Sequence, residues 1–118
     1  MLIAFIKGLS VAAAGETLVQ VQSGITSFVA ATVLTTNANV TMATATVGVY
    51  TAPAQGGTAI LTTSALTGQT TNAFAFVRAA TSVAAQTAVA TGGSLYVNVG
   101  VTVATGTVDL YVFGYNVS

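Results

Sequence analysis

The sequence predicts an all-β domain, a two-sheet β-sandwich of jelly-roll type with seven or eight strands. Three observations predict it. Short segments of strict period-two alternation recur along the chain, as strands with one buried face require. Turn signals such as Ser23-Gly24, Pro53, Gly56-Gly57 and Gly92-Gly93 separate them. No segment keeps a 3.6-residue apolar period long enough to predict a helix. With 118 residues, the chain forms one domain spanning positions 1–118 and buries roughly two-thirds of its unfolded surface.

Leu2–Lys7 is apolar on both faces, the pattern of a strand covered on both sides or clasped by a neighbouring subunit. Met1–Ala14 faintly mimics a secretory leader, with Ala12-Ala13-Ala14 as a small-residue site, but Lys7 lies inside the apolar run instead of ahead of it. A first strand is the better reading, and residues 1–22 form a candidate N-terminal arm for assembly. Gly8–Glu16 reads as loop. Thr17–Gln22 alternates imperfectly, with Val19 and Val21 on one side. Ile25–Thr35 is rich in β-branched residues and reads as a strand; Thr36-Asn37-Ala38-Asn39 reads as a turn. Thr41–Thr51 alternates, with Ala43, Ala45, Val47 and Val49 inward. Pro53 and Gly56-Gly57 close that strand, because proline cannot donate to a ladder. Ala59–Thr62 is a short strand or extended link, and Ser64–Asn72 a polar surface loop. Ala73–Arg78 alternates strictly, and Ala79–Ala90 is loop with a weak strand.

Ser94–Val117 is the clearest stretch. Folded about Val103-Ala104-Thr105-Gly106, it predicts an antiparallel hairpin pairing Val101 with Val108, Val99 with Leu110 and Val97 with Val112. That register gives an aliphatic stripe on one face. It gathers Tyr96, Tyr111, Phe113 and Tyr115 on the other.

Composition narrows function mainly by exclusion. Charged residues are 3% of the chain (Lys7, Glu16, Arg78 and Asp109) and the formal net charge is zero, against about 25% charged in an average soluble domain. Two cations cannot neutralise a run of phosphates, so no nucleic-acid footprint is present. Polar residues interrupt every apolar run well before the ~20 residues of a spanning helix, and no membrane partner is expected. A nearly uncharged surface lacks the repulsion that keeps monomers apart, and so suits a larger assembly.

Histidine and cysteine are absent. Imidazole acid–base chemistry, nucleophilic triads and thiolate or imidazole metal sites go with them. No cofactor is expected. A two-carboxylate hydrolase would need Glu16 and Asp109 in one cleft. A loop charge and a strand-end charge are the blander explanation, so the expectation is a protein without enzymatic activity. Arg78 is the one bidentate donor, able to pair with an acid or to anchor a neighbour. The candidate interface residues are Leu2, Ile3, Phe5 and Ile6 of the first strand, with Arg78, Tyr96, Tyr111, Phe113 and Tyr115. Tyr and Phe are enriched at interface centres. Tyr96, Tyr111 and Tyr115 with Asn98 would alternatively suit a carbohydrate platform.

Thr46-Val47-Gly48-Val49-Tyr50-Thr51 with Gly56-Gly57-Thr58, then Ser94-Leu95-Tyr96-Val97-Asn98-Val99, then Val108-Asp109-Leu110-Tyr111-Val112-Phe113-Gly114 resemble small all-β virion proteins of tailed bacteriophages. The resemblance spans roughly Thr44–Gly114, and residues before Ser23 take no part in it. It implies a capsid cement or decoration protein on the capsid surface of the virion. Such proteins lock neighbouring copies of the major capsid protein and assemble as homotrimers. A tail, fibre or cell-surface module recognising carbohydrate or a receptor is the alternative.

Overall fold

The computed structural model describes residues 1–25, 27–36, 44–66, 75–79, 88–89 and 93–116. Among them are nine strands and no α-helix: β1 (Leu2–Ser10), β2 (Gly15–Gln20), β3 (Ser27–Thr36), β4 (Thr46–Ala52), β5 (Gly56–Ala65), β6 (Ala75–Ala79), β7 (Ala88–Val89), β8 (Ser94–Val99) and β9 (Thr107–Asn116). No helix among the described residues is long and apolar enough to cross a membrane. Two antiparallel sheets pack face to face. Sheet I has the order β1-β9-β3-β6 with β7 also on β3, and sheet II the order β2-β8-β4-β5.

The all-β sandwich expected from the sequence is present, and the C-terminal hairpin is not. β8 and β9 lie in different sheets: β8 pairs with β2 and β4, β9 with β1 and β3. The aliphatic stripe was correctly sorted except at Val101, which is 54% exposed in the link that follows β8. Val97, Val99, Val108, Leu110 and Val112 are all buried, but they meet across the core instead of side by side in one ladder. Period-two alternation assigns faces and is silent on whether two such faces stack or pair. The link through 100–106 arches between sheets and is tied down at both ends. Gly100 N–H donates to Thr46 O at 3.1 Å, Thr46 N–H to Val101 O at 3.0 Å, and Val101 N–H to the Thr46 hydroxyl at 2.7 Å. Further on, Val103 N–H donates to Val11 O and Val11 N–H to Gly106 O.

Among the described residues, the only consecutive strands that pair with each other are β4 and β5. β5 absorbs both the expected Ala59–Thr62 link and the start of the expected Ser64–Asn72 loop. Its register against β4 shifts repeatedly, which turns the adjacent Ile60 and Leu61 both into the core. Residues 67–72 of that expected loop lie outside the described residues, as do Asn37–Asn39 of the expected turn, Thr41–Ala43 and most of Ala79–Ala90.

The N-terminal stretch enters the fold as β1 and β2. β1 pairs with β9 from Leu2↔Phe113 to Ser10↔Thr107, with two register shifts. The first keeps both Ile3 and Ala4 in the core, 0% and 2% exposed, while Leu2 and Phe5 stay opposite the outward Phe113 and Tyr111. The second falls at Lys7-Gly8, where Gly8 takes a φ of 69°, a conformation glycine tolerates without a Cβ clash. The far edge of β1 is also used: Ala4 bridges Val21, and Gln22 N–H donates to Ile3 O at 2.8 Å. The two sheets are thus joined along this side.

Ile3→Ala should therefore lower the unfolding free energy by about 2–5 kcal/mol, the cost of emptying a core site. Urea denaturation measures it, and a loss under about 0.5 kcal/mol, typical of surface positions, would place β1 outside the core.

Candidate functional site

The outward residues of the central strand β9 and its neighbour β1 form one face on sheet I. Phe5 lies opposite Tyr111, and Tyr111 opposite Leu34 of β3; Leu2 lies opposite Phe113, and Phe113 opposite Thr32. The Phe5 and Tyr111 rings stack with centroids 4.6 Å apart and planes 22° apart, and Tyr111 and Phe113 continue the stack at 6.1 Å and 16°. Phe5 is 39% exposed, Tyr115 66% and Met1 61%. Offset stacks of this kind hold rings at fixed spacing, so the face presents a rigid aromatic ladder. Met1 is tied to its edge, its N–H donating to Gly114 O at 2.8 Å and its carbonyl accepting Gly114 N–H at 2.9 Å.

Five of the sequence-predicted interface residues thus share one face: Leu2, Phe5, Tyr111, Phe113 and Tyr115. The other four are placed elsewhere. Ile3 is wholly buried in the core and Ile6 packs against it, because β1 has only one outward face. Tyr96 lies on the other sheet, since β8 does not pair with β9. Arg78 is placed in β6 opposite Val33. The carbohydrate platform expected from Tyr96, Tyr111, Tyr115 and Asn98 is accordingly divided: Tyr96 and Asn98 belong to sheet II, Tyr111 and Tyr115 to sheet I.

The two acids are divided as well. Asp109 alternates with the buried Val108 and Leu110 and so points outward from sheet I. Its carboxylate accepts the Gly8 N–H at 2.8 Å and braces the bulge in β1. Glu16 alternates with the inward Val19 register and points outward from sheet II. Its carboxylate accepts the Ala54 N–H at 2.8 Å. The sandwich separates them, and they do not flank a common cleft. Among the described residues there is no group of three potential metal-ligating side chains. A small pocket of about 220 Å³ opens between the sheets, lined by Leu9, Ser10, Ala13, Gly15, Thr17 and Val99 among others. It is below the ~300 Å³ at which small-molecule sites begin.

Sheet II carries a second outward arrangement that the sequence did not reveal. Leu18, Tyr96 and Tyr50 stand in register across β2, β8 and β4. Tyr50 is only 6% exposed, yet it is not part of the core cluster. Its ring lies over Gly48, where an added Cβ would come within 2.7 Å of the ring and 2.6 Å of the Thr63 hydroxyl oxygen. The Tyr50 hydroxyl accepts Thr63 N–H at 3.0 Å and shares a 2.6 Å hydrogen bond with the Thr63 hydroxyl. Gln55 Oε1 accepts from Thr63 Oγ1 at 3.3 Å and from Tyr50 at 3.5 Å. Gln55 belongs to the β4–β5 turn, which Gly56 N–H closes onto Pro53 O at 3.1 Å.

Both central residues of that turn, Ala54 and Gln55, have a φ of 58°. Turns of this class favour Asn-Gly, because left-handed backbone costs other residues about 1–2 kcal/mol each.

No family model matches the chain, no curated protein is similar to it and no solved structure matches it.

Gly48→Ala should destabilise the protein by about 1–3 kcal/mol through overpacking under Tyr50, read as a lower urea midpoint. Ala54→Gly should do the opposite. Relief of the left-handed penalty of about 1–2 kcal/mol exceeds glycine's added chain entropy of about 0.5–1 kcal/mol, so the midpoint should rise. A fall would show that Ala54 is not strained.

Proposed function

We propose that this protein is a structural virion subunit, a capsid cement or decoration protein that stabilises a phage head by binding across neighbouring capsid proteins. It acts without catalysis or cofactor, as a homo-oligomer with a trimer favoured, at the capsid surface. The observation that carries the reading is the stacked Phe5–Tyr111–Phe113 ladder on an outward sheet face, in a chain with four charged residues out of 118. A rigid aromatic face is a low-entropy contact surface, and a nearly neutral one meets a partner with little charge to desolvate.

The topology supports the same reading. With the two-residue β7 set aside, the strands fall in the orders 1-8-3-6 and 2-7-4-5. In that arrangement the chain crosses repeatedly between sheets, as in a jelly roll. The architecture recurs in viral capsid domains, but also in lectins and cupins, so it raises the expectation of a virion role without fixing it. The resemblance of Thr44–Gly114 to small phage virion proteins points the same way. The ladder and the N-terminal strand that supplies Phe5 lie together on sheet I, which makes that sheet the seam.

The test is a Phe5→Ser/Tyr111→Ser variant, mixed with phage heads that lack this protein and sedimented. Loss of at least two hot-spot contacts should weaken head binding by about 30-fold or more, while circular dichroism and the urea midpoint show a folded chain. Binding equal to that of the parent protein would remove sheet I as the docking face. Light scattering on the parent protein checks the oligomer, where a monomer at assembly concentrations would argue against the trimer.

A further inference from the structure

The turn at Pro53–Gly56 is held in place from an unexpected direction. Glu16 is on β2 and Ala54 follows β4, and β8 lies between those strands. Two strand spacings come to about 10 Å, farther than a glutamate side chain extends. The 2.8 Å hydrogen bond between Glu16 Oε2 and Ala54 N–H therefore requires the turn to fold back over the outer face of sheet II, toward β2. That geometry explains why Tyr50, on an outward position, is almost completely covered.

Two features of the turn oppose each other. Ala54 and Gln55 sit at a φ of 58° without being glycine, a conformation that the chain leaves readily unless its surroundings hold it. Against this stand the charge-assisted bond from Glu16 and the Gln55 contacts to Tyr50 and Thr63. Asp109 is engaged by Gly8 on the opposite face. Glu16 is thus the chain's only exposed acid, and it is committed to a strained surface turn 38 positions away.

We propose that Glu16 is a latch, and that the Pro53–Gly56 turn is a flap with two conformations. Latched, the turn is left-handed and covers Tyr50, at one end of the Leu18–Tyr96–Tyr50 row, while Leu18 at the other end stays 55% exposed. Released, it relaxes out of the left-handed region, withdraws Gln55 from Tyr50 and Thr63, and uncovers Tyr50, extending the exposed row to solvent or to a partner. Glu16 acts here as a positioning residue. Its partner is one backbone N–H, and its effect is felt at Tyr50 and Thr63, which it does not touch.

Amide hydrogen exchange followed by NMR on the full chain tests this. Glu16→Ala should speed exchange about tenfold or more, the weight of one charge-assisted hydrogen bond, at Gly56 and Thr63 as well as at Ala54. The Tyr50 ring signals should move, while core amides such as Val97 and Leu110 keep their protection. Glu16→Gln, which retains an acceptor oxygen, should recover much of the protection. In an Ala54→Gly background, where part of the strain is gone, Glu16→Ala should have a smaller effect at Gly56 and Thr63. Faster exchange confined to Ala54, with Gly56, Thr63 and Tyr50 unchanged, would reduce Glu16 to a local surface contact and overturn the latch. Equal sensitivity in the Ala54→Gly background would overturn the role of strain.

Discussion

The fold depends on one burial event, the stacking of the inward faces of β8 and β9 across the middle of the sandwich. Each is a central strand of its own sheet, flanked on both sides, and together they contribute Leu95, Val97, Val99, Val108, Leu110 and Val112 to the core. Every other strand finds its place by pairing to one of these two or to a strand that does. Apolar area removed from water on that scale is the dominant favourable term. The short polar side chains elsewhere, mostly Thr and Ser, add little that could offset its loss. The outward faces follow from the same event. Once Val108, Leu110 and Val112 turn in, Tyr111 and Phe113 must turn out, and the aromatic ladder is the reverse side of the core.

That relation sets how far the sequence can be read. The fold class and the sorting of faces were legible because alternation is local: Val19 and Val21, Ala45, Val47 and Val49, and Val97, Val99, Val108 and Val112 all lie where period two puts them. The pairing of β8 with β9 was misread because alternation carries no information about partners. The seven residues 100–106 serve an arch as well as a loop. What decides for the arch is Thr46, more than fifty positions away, whose backbone and hydroxyl hold Gly100 and Val101. Such a contact cannot be seen in a window of neighbouring residues. The first strand shows the same limit. Its two-sided apolar pattern suggested a strand covered on both sides or clasped by a neighbour, and could not show that a bulge turns both Ile3 and Ala4 toward the core.

The candidate site was half legible for a related reason. Tyr111, Phe113 and Tyr115 were grouped correctly because they share one strand. Phe5 joins them only through long-range pairing, and Tyr96 was wrongly added through the hairpin that does not form. A turn between Pro53 and Gly56 was legible from those two residues, but its left-handed backbone at Ala54-Gln55 was not. Neither residue favours left-handed backbone, and Pro-Ala-Gln-Gly is not a sequence from which such a turn is predicted. The conformation is imposed by Glu16, Tyr50 and Thr63, and becomes intelligible only when all three are in place.

The position of β9 between β1 and β3 has a consequence for how the protein is made. A ribosome delivers β1 long before β9, with Met1 and Gly114 separated by 113 positions. Until the final strand emerges, β1 and β3 have no partner to share and sheet I cannot close. From β1 until β9 is made, the nascent chain must therefore hold its first apolar strand without its main ladder partner, with only the Val21 and Gln22 contacts at its far edge. Long-range pairing of this kind slows folding and exposes strand edges to foreign chains. For a polypeptide with so little charge to keep neighbours away, the hazardous interval is translation itself, and a chaperone's protection would matter most before β9 appears.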